Sequence, residues 1–389
     1  MHSACILGWG HTPFGRHTGH TLQSLLAEAV AQALAHARVP AEAIDAVYVA
    51  HYNGGLVDDA FVAGLPALAC PALRHVPATR LENACASGSA ALYAGMQRIA
   101  ADQARHVLVV GAEKMTAAAA PDVTQSLARA SYWPEEGSRG TSFPALFAGL
   151  AQAYAAAYGD PGAAMARIAA KNHAHGALNP LAHLRRPLDF DFCHTVSEAN
   201  PLVAPPLRRT DCSLVSDGAA ALVLGHREHL AGVPRAVGFR AARQVNDYLP
   251  LSLRPPLWFE APGLAWRQAC ADAGITLADL SFAEVHDCFT IAELMSYEAM
   301  GLAAPGQGHR CLEDGTVQRD GRLPVNVSGG LKAKGHPIGA TGVSMHVMAA
   351  MQLCGEAGEM QLVAPDLGAV FNMGGTAVAN YVSILQRLR

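Results

Sequence analysis

Short apolar runs alternate with Ala-rich amphipathic stretches along most of the chain. Leu22, Leu25, Leu26, Ala29, Val30, Ala33 and Leu34 recur at helical spacing behind Thr21, a capping residue. Thr21–Ala37 is therefore expected to be a helix with one buried face. The same periodicity predicts helices over 85–101, 262–273, 290–300 and 342–353. Runs of small, β-branched and aliphatic residues predict strands over 5–10, 46–50, 106–111, 219–224, 235–239, 282–285, 368–371 and 377–385. Strands that alternate with helices in this way imply a layered α/β fold.

A weak internal repeat runs through the pattern. The stretch from Ala43 to Ala50 resembles that from Asp279 to His286. A Cys-bearing loop then opens a helix at Cys85, and a His-bearing loop opens one near His336. The closing strands break the symmetry. Gly111 and Gly218 lie far apart in the chain, whereas the matching second-half strands nearly abut at Met373-Gly374-Gly375. The expected organisation is a first half of residues 1–115 with 212–232, an insertion over 116–211, and a second half over 233–389. A long, Pro-punctuated insertion in a compact domain is expected to act as a lid or binding element.

Composition narrows the class. Of 389 residues, 51% are hydrophobic and 15% charged, with a net charge of −4. Soluble domains usually carry about 25% charged residues. The deficit points to a large core and a buried subunit interface. The slightly acidic balance leaves no basic footprint for nucleic acid or an anionic membrane surface. No apolar run reaches the roughly 18 residues of a membrane helix. Met1–Cys5 holds no basic region or signal core, and Gln386–Arg389 is not a peroxisomal address, so a cytoplasmic protein is expected. Nine cysteines without a Cys-x-x-Cys pair argue against a disulfide framework or a thiolate zinc site.

Three places carry candidate chemistry. In Lys334-Gly335-His336-Pro337-Ile338-Gly339-Ala340-Thr341-Gly342, one imidazole is fixed among constrained backbone positions ahead of a small-residue helix. Cys85, in Asn83-Ala84-Cys85-Ala86-Ser87-Gly88, lies where a helix begins. A helix start carries partial positive charge and can lower a thiol pKa. The plain alternative is a thiol buried in an Ala-rich helix. His286-Asp287-Cys288-Phe289 follows a strand directly, and strand C-terminal ends are where α/β folds place function. Its plain alternative is a structural strand end.

Together, Asn83–Gly88, Gly335–Gly342 and Ser216-Asp217-Gly218-Ala219-Ala220-Ala221 resemble the thiolases in order and spacing over essentially the whole chain. The tetrapeptide His286–Phe289 is closest to the sterol-carrier-protein type and related archaeal and bacterial thiolases, where most others have Asn-Glu-Ala-Phe. The resemblance implies two related α/β halves in an α-β-α-β-α arrangement with a loop-domain insertion. It implies a Cys-linked acyl-enzyme that forms or cleaves 3-ketoacyl-CoA, with coenzyme A thioesters as substrates, no permanently bound cofactor and no metal. Cys85 would be the nucleophile and His336 its proton acceptor. His286 and His336 would face the thioester oxygen, while the N–H groups of Cys85 and Gly374 would face the tetrahedral intermediate. The chain departs from many thiolases at Asn372-Met373-Gly374, where a second catalytic cysteine is usual, and Cys288 inherits that acid/base role by position. The family also implies a homodimer or dimer of dimers.

Weaker features remain. Arg185 and Arg186 are candidates for coenzyme A phosphates, as are Arg208 and Arg209, against a plain solvated face. Trp133 and Phe147 are candidates for an acyl pocket or for the core. His17/His20 and His226/His229 have metal-like spacing but no evident third ligand. Two rival functions stand beside the acyl-CoA C-acyltransferase. One is a decarboxylative ketosynthase-like enzyme using the same Cys-His-His set. The other is an acyl-CoA-binding subunit acting with a small OB-fold partner.

Overall fold

A computed structural model of the chain describes residues 2–255, 257 and 259–389. Nine strands form its main sheet: β1 Ala4–His11, β2 Ala46–Ala50, β3 Ala78–Leu81, β4 His106–Glu113, β5 Gly218–His226, β6 Val237–Asn246, β7 Phe282–Val285, β8 Leu367–Gly374 and β9 Ala379–Arg387. Their order is β3-β2-β4-β5-β1-β6-β9-β8-β7.

This order contains one pattern twice. In the first half β3, β2 and β4 are parallel, and β5 and then β1 follow antiparallel. In the second, β7 and β8 are parallel, and β9 and then β6 follow antiparallel. Val325 takes the place of β3 through a parallel bridge to Ala283. The halves join edge to edge, Cys5 opposite Gly238 and Ile6 opposite Val237. A 3-10 turn precedes both β2 and β7, at Ala41–Ala43 and Leu277–Asp279, where the sequence repeat lies.

The principal helices are α1 Leu22–Ala37, α2 Ser87–Ala100, α3 Ala120–Ala128, α4 Phe143–Tyr158, α5 Gly162–Ala177, α6 Glu260–Ala273, α7 Thr290–Ala299 and α8 Ile338–Cys354. Helix α1 packs on β1 and β5, and α6 on β6 and β9. Helices α2 and α8 pack on each other and on strands of the first half, with α8 also touching β8. Fifteen of the seventeen residues of α8 are buried, so it shows no amphipathic face. Its periodicity is accordingly weak at the start, and the helix begins at Ile338 rather than at the expected Gly342. Pro337 presets the turn, its carbonyl accepting from the N–H groups of Ala340 and Thr341.

Helix α2 starts at Ser87, two residues after the expected start. Ala84, with φ +47°, forces a tight turn that leaves Cys85 outside the helix. Between β4 and β5 the chain runs through α3, α4, α5 and a small ribbon, Leu202–Ala204 with Leu207–Arg208. Helix α5 escapes a periodicity reading because Lys171, Asn172, His173 and His175 are all buried.

Candidate active site

Cys85, His286 and His336 come from three separate elements yet converge. The Cys85 sulfur and one nitrogen of each imidazole lie within 4.8 Å of one another. The imidazoles meet edge-on, centroids 5.2 Å apart at 85°. All three side chains are buried. This is also the donor set a soft divalent ion would accept.

Each member is held by its own contacts. Cys85 sits in the tight turn before α2, with the N–H of Gly375 against its sulfur. A Cβ on Gly374 would strike the carbonyl of Asn83, which accounts for glycine there. His336 Nδ1 lies 2.7 Å from Thr341 Oγ1. The Thr341 hydroxyl donates to the Pro337 carbonyl at 2.9 Å, so it accepts from Nδ1–H. That leaves Nε2 of His336 as a bare lone pair, the form a proton acceptor needs.

His286 follows β7 immediately. Its neighbour Asp287 accepts from the N–H groups of Leu331 (2.6 Å) and Lys332 (3.1 Å) and from Asn172 Nδ2 (2.7 Å). The acid thus fastens the His-Asp-Cys-Phe loop to the Gly330–Lys334 turn that leads to His336. Glu113 does similar work, accepting from the N–H groups of Tyr52, Asn53 and Gly339. The Asp217 carboxylate binds Lys114 Nζ at 2.6 Å and the N–H groups of Met115, Thr116 and His17. Burial alone would raise the Asp217 carboxyl, but these bonds outweigh it and hold it below the ordinary range. The Ser-Asp-Gly motif is therefore a clamp on the loops of the site.

The electrostatics correct one expectation. The helix start does not make Cys85 an anion. Burial pushes its thiol up to about 12, against the opposing pull of the Gly375 N–H. Burial, then the nearby Lys334 charge, lowers His336 to about 3. His286 is lowered well below its usual value by burial, His336 and Lys334. The resting site is therefore neutral: a thiol beside two uncharged imidazoles. Lys334 is buried, donates to Ser344 Oγ at 2.8 Å, and is itself lowered to about 8 by burial.

A cavity of about 760 Å³ opens onto this cluster. Cys85, Cys288 and His336 line it, with Tyr52, Met115, Val123, Leu127, Phe143 and Ile338 forming apolar wall. Cys288 is buried, and burial, then Cys85 and Asp287, raises its thiol well above the usual value. Phe147 lies one layer behind, stacked on Phe289 at 4.4 Å. Trp133 is 44% exposed and does not line the cavity. Arg185 and Arg186 are exposed and do not line it either, whereas Arg16 and His183 do. Arg208 is not on a solvated face: it is buried against Asp211, with Nε 2.7 Å from the carboxylate. Sequence reasoning missed Thr341, Glu113, Arg16 and His183. Only Glu113 left a signal, as a charge ending an apolar strand.

Comparisons with known proteins identify the family. Residues 4–186 match the thiolase N-terminal domain, and residues 244–387 match the thiolase C-terminal domain-like family. Over its full length the chain is 35% identical to an acetyl-CoA acetyltransferase of Methanothermobacter thermautotrophicus, also covered in full. The chain belongs to the thiolase family. This thiolase is an acyl-CoA C-acyltransferase, and a Cys-linked mechanism is typical of the family. It is also 30% identical to sterol carrier protein 2 of Oryctolagus cuniculus, over 96% of the chain and 70% of that protein. Its fold matches the Ltp2-ChsH2(DUF35) aldolase at TM-score 0.85 and 22% identity, covering 100% and 98% of the two chains. Human mitochondrial 3-ketoacyl-CoA thiolase matches at TM-score 0.74 and 16% identity, covering 99% of each. Among the described residues, no helix is long and apolar enough to cross a membrane.

Proposed function

We propose that Cys85 takes the acyl group, that His336 accepts its proton, and that Cys288 exchanges a proton with the substrate α-carbon. In the cleavage direction the Cys85 sulfur bonds to the 3-keto carbon of a 3-ketoacyl-CoA while its proton moves to His336 Nε2. The bond between C2 and C3 then breaks, and the leaving carbanion takes the proton of Cys288. Coenzyme A next attacks the acyl-Cys85 carbonyl and gives its thiol proton to Cys288. The Cys85 sulfur leaves with the proton held by His336. Condensation is the reverse. Because the thiol and both imidazoles rest uncharged, proton movement accompanies each bond change rather than preceding it.

The observation that carries this reading is the meeting of Cys85, His286 and His336 within 4.8 Å, beside a cavity that Cys85, His336 and Cys288 line and His286 backs. A thiol held protonated suits the donor of a proton to carbon, which a decarboxylating enzyme would not require. In this reading His286, and His336 once it carries the Cys85 proton, donate to the thioester oxygen, and the N–H groups of Cys85 and Gly374 to the tetrahedral intermediate. Each such donor contributes roughly 10²–10³ in rate. Arg16 and His183 in the cavity wall are better placed than Arg185 and Arg186 to meet coenzyme A. The chemistry requires no metal.

Lipid metabolism and a cytoplasmic location complete the proposal, the latter supported by nine free cysteines. A homodimer or dimer of dimers is supported by the low charge and by β3, a partly exposed strand at the sheet edge. A small partner protein is supported by the fold likeness to the Ltp2-ChsH2(DUF35) aldolase, whose name has two components.

The test is intact-mass detection of acyl-Cys85 across a panel of 3-ketoacyl-CoA substrates. An acyl adduct on the wild type, absent in Cys85→Ala, is expected. No adduct and no thiolysis would favour a non-catalytic subunit. Faster product formation from malonyl-thioester than from acetyl-CoA would favour a decarboxylating enzyme.

A further inference from the structure

Asn372 occupies the position where many thiolases carry their second catalytic cysteine, so the proposed chemistry leaves it without a task. Its surroundings give it one. Asn372 lies in β8, wholly buried between the two central helices. Its Oδ1 accepts from Ser89 Oγ at 2.7 Å. Its Nδ2 lies 3.1 Å from the Cys85 carbonyl and 3.0 Å from His286 Nδ1. A carbonyl can only accept, so the NH₂ end of the amide must be the end that faces Cys85. The amide therefore cannot be turned round. Its second N–H points at His286 Nδ1, which must then be the unprotonated nitrogen. The proton of the neutral ring is left on Nε2.

We infer that Asn372 is a positioning residue that fixes His286 in its Nε2–H form, so that His286 can only donate toward the reacting atoms. This rests on the proposed role of His286 as a donor to the thioester oxygen. Thr341 does the opposite for His336, holding Nδ1–H and leaving Nε2 bare. Two adjacent neutral imidazoles thereby acquire different tasks, one donor and one acceptor, from a single uncharged partner each. The same amide holds the Cys85 carbonyl, tying the nucleophile's backbone to the ring that serves it.

Long-range nitrogen–proton NMR on the wild-type enzyme tests the assignment directly, with the His286 signals identified by their loss in His286→Asn. Protonated Nε2 and bare Nδ1 are expected. A proton on Nδ1 would overturn the inference, whatever the enzyme's activity. Kinetics supply the second arm. Asn372→Ala is expected to lower kcat for 3-ketoacyl-CoA cleavage roughly 10–100-fold, by analogy with the partners that orient metal-ligating histidines. KM should stay within about twofold, as expected for an interaction used in the transition state. Asn372→Asp keeps the shape but offers an acceptor to Nδ1–H, which reverses the ring's tautomer. It is expected to be slower than Asn372→Ala. A merely packing role would make the isosteric aspartate the better enzyme, and that ranking would sink the idea. Should acyl-Cys85 never form in the wild type, the thiolase chemistry fails while the NMR result still decides the tautomer.

Discussion

Gly88 and Gly342 meet backbone to backbone where α2 and α8 cross. A Cβ on Gly88 would lie 2.5 Å from the Val343 nitrogen and 2.7 Å from the Gly342 Cα. Gly88 lies three residues after Cys85, and Gly342 six after His336. The crossing therefore brings Cys85 and His336 together, one from each half of the fold. The glycines of the Gly-His-Pro segment also suit close approach of a coenzyme A thioester to the backbone. At Gly342 the neighbour that requires glycine is instead protein.

Gly342→Ala puts a methyl group against the Ser89 nitrogen and 2.5 Å from Asn372 Oδ1. Neither is a flexible side-chain end. The helices must separate, and overpacking of this kind costs about 1–3 kcal/mol. Urea unfolding of the ligand-free protein is expected to show that loss, together with reduced acylation of Cys85. Undiminished stability with weakened coenzyme A binding would instead return the glycine to a substrate role.

Thr341→Val removes the acceptor for His336 Nδ1–H and keeps the shape of the side chain. The imidazole is then free to carry its proton on Nε2, where it cannot accept one from Cys85. Acylation is expected to slow roughly 10–100-fold, by analogy with other partners that orient histidines. Stopped-flow release of coenzyme A from an acyl-CoA measures this step. Thr341→Ser retains the hydroxyl and is expected to recover most of the rate.

How much of this was legible depended on whether a residue's partner is near it in sequence. Cys85 and His336 stood out because constrained backbone surrounds them locally. The strand pairs repeated closely enough for the duplicated halves to be read, although Val325, a single bridge, left no pattern. Asn372 and Asp287 were silent as structural groups, and Glu113 showed only as a charge ending an apolar strand, because what they hold is far away in the chain. Asn372 lies 287 residues from Cys85, its hydrogen-bond partner. The thiol's ionisation stayed open between two readings for a related reason. Helix position is visible in sequence, but the burial that outweighs it is a property of the assembled site.

Acid should unfold this protein early. Burial holds His336 and His11 down to about 3 and His346 to about 4, against 6.5 in an open chain. Between those limits the unfolded chain binds protons that the folded one excludes. Stability is therefore fully present above about pH 6.5 and falls as pH drops through the window to about 3. Each such histidine contributes a slope of up to about 1.4 kcal/mol per pH unit. Urea midpoints at pH 7, 6 and 5 are expected to decline progressively. A flat profile would mean that these imidazoles already charge in the folded state.

Cys288→Ala separates the two half-reactions. Cys85 and His336 are untouched, so acyl transfer from an acyl-CoA to Cys85 is expected to proceed near the wild-type rate. The α-carbon loses its proton partner, and carbon–carbon bond formation should fall roughly 10²–10⁴-fold, the usual share of a general acid or base. Intact mass after mixing with acetyl-CoA reads the first step, and acetoacetyl-CoA formation the second. Cys288→Ser tests whether a thiol is needed, because a hydroxyl gives up its proton less readily and should remain slow. Full turnover in Cys288→Ala would place the proton at another group, and His286, one of whose ring nitrogens lies within 4.8 Å of the Cys85 sulfur, would be the next to test.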